Sequence, residues 1–124
     1  MRGQDTNRTE YTGGQLTLNE MICDMGFITD LEVEFSPYCV DIFIEELWAA
    51  IEFDGAHSMK KRDGERDAQL MLKYSLPVLR ITKVSPKDEV RGKLIAFFKE
   101  CAESARARRQ GIPDKVLAEF FGRG

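Results

Sequence analysis

Histidine occurs once in these 124 residues, at His57, and cysteine three times, at Cys23, Cys39 and Cys101. Three widely spaced cysteines make neither a metal-binding pair nor an evident set of bridges. As small buried thiols they suit a reducing cytoplasm, which is the expected location. No window approaches the ~18 uncharged apolar residues of a membrane span, so a membrane partner is not expected. The N-terminal residues lack a basic stretch followed by an apolar one, so secretion is not expected either. Internal repeats and low-complexity tracts are missing as well. What is present is an ordinary apolar fraction of 43%, gathered in segments rich in Ile, Val, Leu and Phe that can bury a core, which excludes disorder as the main state. The length suits one compact domain and is too short for two.

Lys and Arg are wholly missing from residues 20–54, where ten acids stand: Glu20, Asp24, Asp30, Glu32, Glu34, Asp41, Glu45, Glu46, Glu52 and Asp54. Residues 55–124 reverse the balance with sixteen bases against nine acids, while residues 1–19 are neutral, giving the net charge of −3. An acidic block followed by a basic one suits a protein that holds a cation and approaches a polyanion. It also suits charges that only solvate exposed faces.

Residues 1–15 read as a flexible tail and 16–124 as a single domain, with a core over 17–82 and C-terminal helices over 86–121. Thr17 and Glu20 have capping-box spacing, and Leu18, Ile22 and Met25 continue a short helix that Gly26 stops. Residues 30–35 alternate, with Leu31, Val33 and Phe35 on one face and Glu32 and Glu34 on the other. Residues 38–44 form a second strand, with Val40, Ile42 and Ile44 opposite Cys39, Asp41 and Phe43. Glu45-Glu46 reads as a hairpin tip. Residues 47–53 are almost wholly apolar and so a central strand, which Asp54-Gly55 ends. A helix over 63–74 follows, then a strand over 78–81, parallel to the third because the crossover has βαβ length. Ser85 and Pro86 read as N-cap and first turn of a long helix with an apolar stripe of Val90, Leu94, Phe97, Phe98 and Cys101. Gly111 and Pro113 break it before a last short helix over 116–121. The order α-β-β-β-α-β-α predicts an α/β fold with a mixed sheet between helices.

Chemistry concentrates at Asp41 and at the segment Glu52-Phe-Asp54-Gly-Ala-His57. Glu52 and Asp54 share a strand face by period two. A hairpin about residues 45–46 sets Asp41 roughly opposite residues 50–52, and directly opposed side chains lie ~5 Å apart at Cβ. Like charges that close need a cation or a proton, and Mg²⁺ is the economical choice. Glu52 carries most weight, because it interrupts an apolar central strand and a buried lone charge is costly. His57 follows the strand end on a loop, where its ordinary pKa of ~6.5 suits general acid–base work. Glu20 either caps its own helix or is lent to the metal site. Asp63 stands in a helical first turn, where an acid suits the dipole. Lys60, Lys61, Arg62 and Arg66 near the site, and Arg106, Arg108 and Arg109 on the long helix, are candidate contacts to a nucleic-acid backbone.

The runs Tyr38-Cys-Val-Asp41-Ile-Phe-Ile44, Ala50-Ile-Glu52-Phe-Asp54-Gly55-Ala-His57, Arg66-Asp67-Ala-Gln-Leu70 and Pro77-Val-Leu-Arg-Ile81 resemble the very-short-patch-repair endonuclease group. They are similar also to the phage homing endonucleases of the Glu-Asp-His-Asp type. Both belong to the PD-(D/E)xK restriction-endonuclease-like superfamily, whose core is αβββαβ. The resemblance covers roughly residues 17–82. It implies an Mg²⁺-dependent endodeoxyribonuclease, with Mn²⁺ as a possible substitute, in the cytoplasm of a bacterial or phage-infected cell. By position it makes Asp41 the metal-binding aspartate and the Phe53 carbonyl a further ligand. Asp54 becomes the polar residue that ends the third strand, His57 the loop histidine, Glu20 the helix-one glutamate and Asp63 the acid after the histidine. Asp54 stands where the superfamily usually has lysine, as in the repair-like branch. The implied partner is double-stranded DNA, with a homodimer or a separate recognition module supplying specificity. Two other classes remain open: a non-catalytic nucleic-acid-binding or assembly module that keeps the nuclease fold, and an enzyme acting on RNA.

Overall fold

The computed structural model describes residues 13–54 and 61–112, the side chains of Lys61 and Arg62 excepted. Seven elements follow in order: α1 (Gly13–Asp24), β1 (Asp30–Phe35), β2 (Tyr38–Ile44), β3 (Ala49–Phe53), α2 (Lys61–Tyr74), β4 (Val78–Ile81) and α3 (Lys87–Gln110). The strands form one mixed sheet in the order β1-β2-β3-β4, with β1–β2 and β2–β3 antiparallel and β3–β4 parallel. The α/β fold and the parallel crossover are those read from the sequence. The expected residues 1–12 of the tail, and the last short helix over 116–121, lie outside the described residues.

Helices cover both faces. On one, Leu18 and Ile22 of α1 and Leu94 and Phe98 of α3 pack against Ile42, Ile44 and Ile51. On the other, Leu70 and Tyr74 of α2 pack with Phe35, Phe43, Trp48, Ala50 and Leu76. Apolar burial on both faces of β3 explains its near-absence of polar residues. Aromatic edges knit the α2 side: the Phe35 ring meets Phe43, Trp48 and Tyr74 with centroids 5.0, 6.1 and 5.1 Å away.

Several boundaries differ from the sequence reading. Thr17 sits inside α1, which starts at Gly13, so the capping box does not open the helix. Tertiary contacts extend the helix backwards: Gly14 lies so close to the Phe53 ring that an added Cβ would come within 2.2 Å of it. Leu47 and Trp48 belong to the turn before β3. Trp48 is held there at φ 50°, a strained angle for a bulky residue, by complete burial and by its indole N–H, which donates to the Tyr74 carbonyl at 2.8 Å. Pro86, not Ser85, is the N-cap of α3, and its carbonyl takes the amides of Glu89 and Val90.

The alternation of β1 and β2 also breaks. Leu31 and Ile42 pair on the α1–α3 side, whereas Val33 and Val40 pair on the α2 side. The change of face falls at Glu32, whose φ is 53°.

Arg108 pins the far end of the sheet. Its guanidinium donates to the carbonyls of Trp48, Leu47 at 2.9 Å, Cys101 at 2.8 Å and Ser75 at 3.4 Å, and its Nε to Ser104 Oγ at 3.0 Å. Its donors are therefore spent inside the protein rather than offered to a nucleic acid. Arg108→Met leaves those carbonyls without their donor and is expected to cost about 3 kcal/mol of stability. Exposed Arg106→Ala should change stability by less than about 0.5 kcal/mol. Chemical denaturation of the two variants compares them, and equal effects contradict this role.

Candidate active site

The β2–β3 ladder ends where its carboxylates begin. Ile42 pairs with Ile51, so Asp41 falls opposite Glu52. At this point side chains replace the ladder. The Asp41 N–H donates to Glu52 Oε2 at 2.7 Å, and the Phe53 N–H donates to Asp41 Oδ2 at 2.9 Å. Each carboxylate thus satisfies a backbone donor on the neighbouring strand.

The pair is poorly hydrated. Glu52 is 8% exposed and, with Gln15, makes up the buried polar or charged residues among those described. Burial, and then the negative charge of Asp41, push the Glu52 carboxyl up to about 7. Burial likewise raises Asp41, and the charges of Glu32 and Asp54 add to this, against the Phe53 N–H and Arg66.

Two arginines answer this charge differently. Arg80 faces Glu52 across the parallel β3–β4 pair. Its fork is filled by Asp67, at 2.9 Å through Nε and 2.8 Å through one terminal nitrogen, and by Asp54 at 3.0 Å through the other. The hydrogen bonds it donates to Asp67 are the main reason its pKa rises further. Arg66 of α2 lies farther out. It approaches Glu52 Oε1 at 3.5 Å and Asp67 at 3.7 Å, donates to the Cys39 carbonyl, and stands over the Tyr38 ring at 5.6 Å. From the other side, the Gln15 amide of α1 donates to Glu32 Oε2 at 3.1 Å and to the Asp41 carbonyl at 3.2 Å.

This sheet and its flanking helices have a solved counterpart. The chain superposes on the homing endonuclease I-Bth0305I catalytic domain with a TM-score of 0.62 and 18% sequence identity, covering 73% of this chain and 98% of that one. The fold is endonuclease-like. No protein-family model and no curated protein sequence matches the chain.

Within this endonuclease-like fold, Asp41, Glu52 and Asp54 come together on the α2 side of the sheet. Phe53 joins them through its N–H, while its ring turns to the opposite face against Gly14. Glu20 does not join them. It is exposed, about 140° around the helix from Gln15. Asp63 stands in the first turn of α2 and lines a shallow pocket with Tyr38, Glu65, Arg66 and Gln69. His57, Lys60 and the side chains of Lys61 and Arg62 lie outside the described residues. Arg109 stacks on Trp48 at 5.4 Å and approaches Glu45 at 3.8 Å. On α3, Arg106, Arg108 and Arg109 lie beside the β2–β3 turn, about 13 Å along β2 from Asp41.

Gln15, Glu32, Asp67 and Arg80 complete the cluster, and of these the sequence reading singles out only Asp67, as the neighbour of Arg66. Arg80 had a signal, as the one charged residue of a four-residue strand. Among the described residues, no three His, Cys, Asp or Glu side chains are grouped as for a metal ion. Asp41 and Glu52 supply two hard oxygen donors, which fits Mg²⁺, an ion that commonly takes one or two carboxylates and keeps several waters.

The raised Glu52 pKa fixes a pH dependence. The folded state holds this proton more tightly than the unfolded state, so stability is lost as pH rises from 4.5 to about 7. The loss is about 3 kcal/mol. In chelator, the stability of the unmodified protein relative to Glu52→Gln should fall by that amount between acidic and mildly alkaline buffer. Denaturant melts across this range measure it, and a pH-independent difference contradicts the assignment.

Proposed function

We propose that the chain is a metal-dependent DNA endonuclease of the very-short-patch-repair-like or homing-endonuclease-like kind, within the PD-(D/E)xK superfamily. One observation carries the proposal. In an endonuclease-like fold, a buried Glu52 and a half-buried Asp41 face each other at the open end of a β-ladder, and Asp41 repels the Glu52 charge. The structural neighbour is, by its name, the catalytic domain of a homing endonuclease.

In this reading Asp41 and Glu52 hold Mg²⁺, or Mn²⁺ in its place, with the Phe53 carbonyl as a further ligand. Such an ion, when bound, supplies Lewis-acid polarisation of the phosphate and charge stabilisation for the leaving oxygen. The protein contributes the rest. The Phe53 N–H fixes one Asp41 oxygen and so orients the carboxylate. Arg80 holds Asp54 beside the pair. His57, which follows Asp54 closely in the sequence, takes the proton of the attacking water. Lys60, Lys61 and Arg62, close to His57 in the chain, neutralise DNA phosphates, so affinity falls steeply with salt. One such site makes one nick, and a double-strand break needs two copies.

A second reading, a binding module without catalysis, is favoured by the Arg66–Glu52 contact, which offsets the Glu52 charge without an ion. Plasmid nicking in Mg²⁺, Mn²⁺ and chelator separates the two, with a matched RNA in parallel. The unmodified chain should nick DNA in either metal and not in chelator. Asp41→Asn should lower the rate at least about 100-fold and His57→Ala about 100-fold or more. Equal nicking by all three proteins overturns the proposal. DNA binding without nicking in any metal supports the second reading.

A further inference from the structure

Two arginines border the Asp41–Glu52 pair, and their bonding differs in a way that assigns them different work. Arg80 is saturated: both edges of its guanidinium lie on Asp67 and Asp54, and its side chain is 11% exposed. It cannot leave without exposing two carboxylates to each other. Arg66 holds Glu52 only loosely. Its contact with Glu52 is an ion pair at 3.5 Å rather than a close hydrogen bond, and its approach to Asp67, at 3.7 Å, is longer still. Its other ties are a backbone carbonyl and the face of Tyr38. Its side chain is 18% exposed, more than that of Arg80 or Glu52. It therefore stands between the buried carboxylates and solvent.

A carboxylate pair this close needs a cation or a proton to offset its charge, and a guanidinium and a divalent ion compete for the same oxygen. We propose that Arg66 is an exchangeable internal counter-ion, which neutralises Glu52 in the metal-free protein, yields it to the divalent ion and turns to the DNA phosphate at the same site. This rests on the metal-dependent reading above and adds to it a residue that couples metal entry to substrate capture. The guanidinium suits both partners, because its planar fork matches carboxylate and phosphate alike. α2 carries it on a rigid backbone, so only the side chain has to move.

The test needs metal binding as well as activity. Mn²⁺ is titrated into the DNA-free full chain by calorimetry for the unmodified protein, Arg66→Gln, Arg66→Lys and Asp41→Asn. Nicking at saturating Mn²⁺ is measured on the same samples. Removing the competing cation should tighten Mn²⁺ binding at least about tenfold in Arg66→Gln, while nicking falls about tenfold or more. Arg66→Lys keeps the charge and should leave Mn²⁺ affinity within about threefold of the unmodified value. A measurement without a substitution guards against misfolding of the variants. In the unmodified protein, the Arg66 Nε–H resonance, assigned from its loss in Arg66→Lys, should shift on adding Mg²⁺ alone. Unchanged or weaker Mn²⁺ binding in folded Arg66→Gln, or an unmoved resonance at saturating Mg²⁺, overturns the exchange and leaves the metal reading standing. Absence of Mn²⁺ binding in the unmodified protein, or its retention in Asp41→Asn, overturns the metal reading and the exchange with it.

Discussion

The Asp41 and Glu52 carboxylates each accept a backbone N–H from the facing strand, and the arrangement of the site follows from those two hydrogen bonds. A hairpin whose strands simply continued would give the Asp41 and Phe53 amides to carbonyls. Here each goes to a carboxylate, so the strands part without leaving a buried donor unpaired. The consequence is electrostatic. Two acids are fixed side by side in a place with little water, and neither can turn away without orphaning an amide.

The surrounding elements answer that constraint. β4 brings Arg80 opposite Glu52, and α2 supplies Asp67 to hold the guanidinium in place. The same helix, one residue earlier, aims Arg66 at Glu52. α1 reaches from the opposite face, and its Gln15 amide ties the Asp41 carbonyl to Glu32. On the α1–α3 face the apolar core continues past this point through Phe53 and Ile81, so the polar cluster occupies only the α2 side of the sheet. Arg108 provides the counterpart at the other end, where it gathers the carbonyls of the β2–β3 turn. Two arginines of the basic cluster on α3, Arg108 and Arg109, thus have partners within the fold.

The Asp41–Glu52 opposition was legible because a hairpin about residues 45–46 fixes which residues face each other, and a carboxylate within an apolar strand demands a partner. The αβββαβ order was legible from periodicity and from the length of the crossover. Gln15 was not, because Gly13-Gly14 looks like a helix breaker until the Phe53 ring is seen to require the missing Cβ. Glu32 was not, because strict alternation sends it to solvent, and only its positive φ turns the strand's faces over. Arg108 was misread for a general reason: arginines on a helix look alike whether their donors meet phosphate or carbonyls of the same chain. Glu20 had the spacing of a cap and, by the resemblance, the place of the helix-one glutamate, yet helical geometry sets it on the exposed side of α1.

Glu52 shares a poorly hydrated site with a second acid. Carbon-detected NMR titration of the Glu52 side-chain carboxyl, in metal-free buffer, measures this directly. The account predicts a midpoint near the value of about 7 that burial and Asp41 impose, moving downward in Asp41→Asn. A midpoint at the ordinary 4.5, unmoved by that substitution, would contradict it.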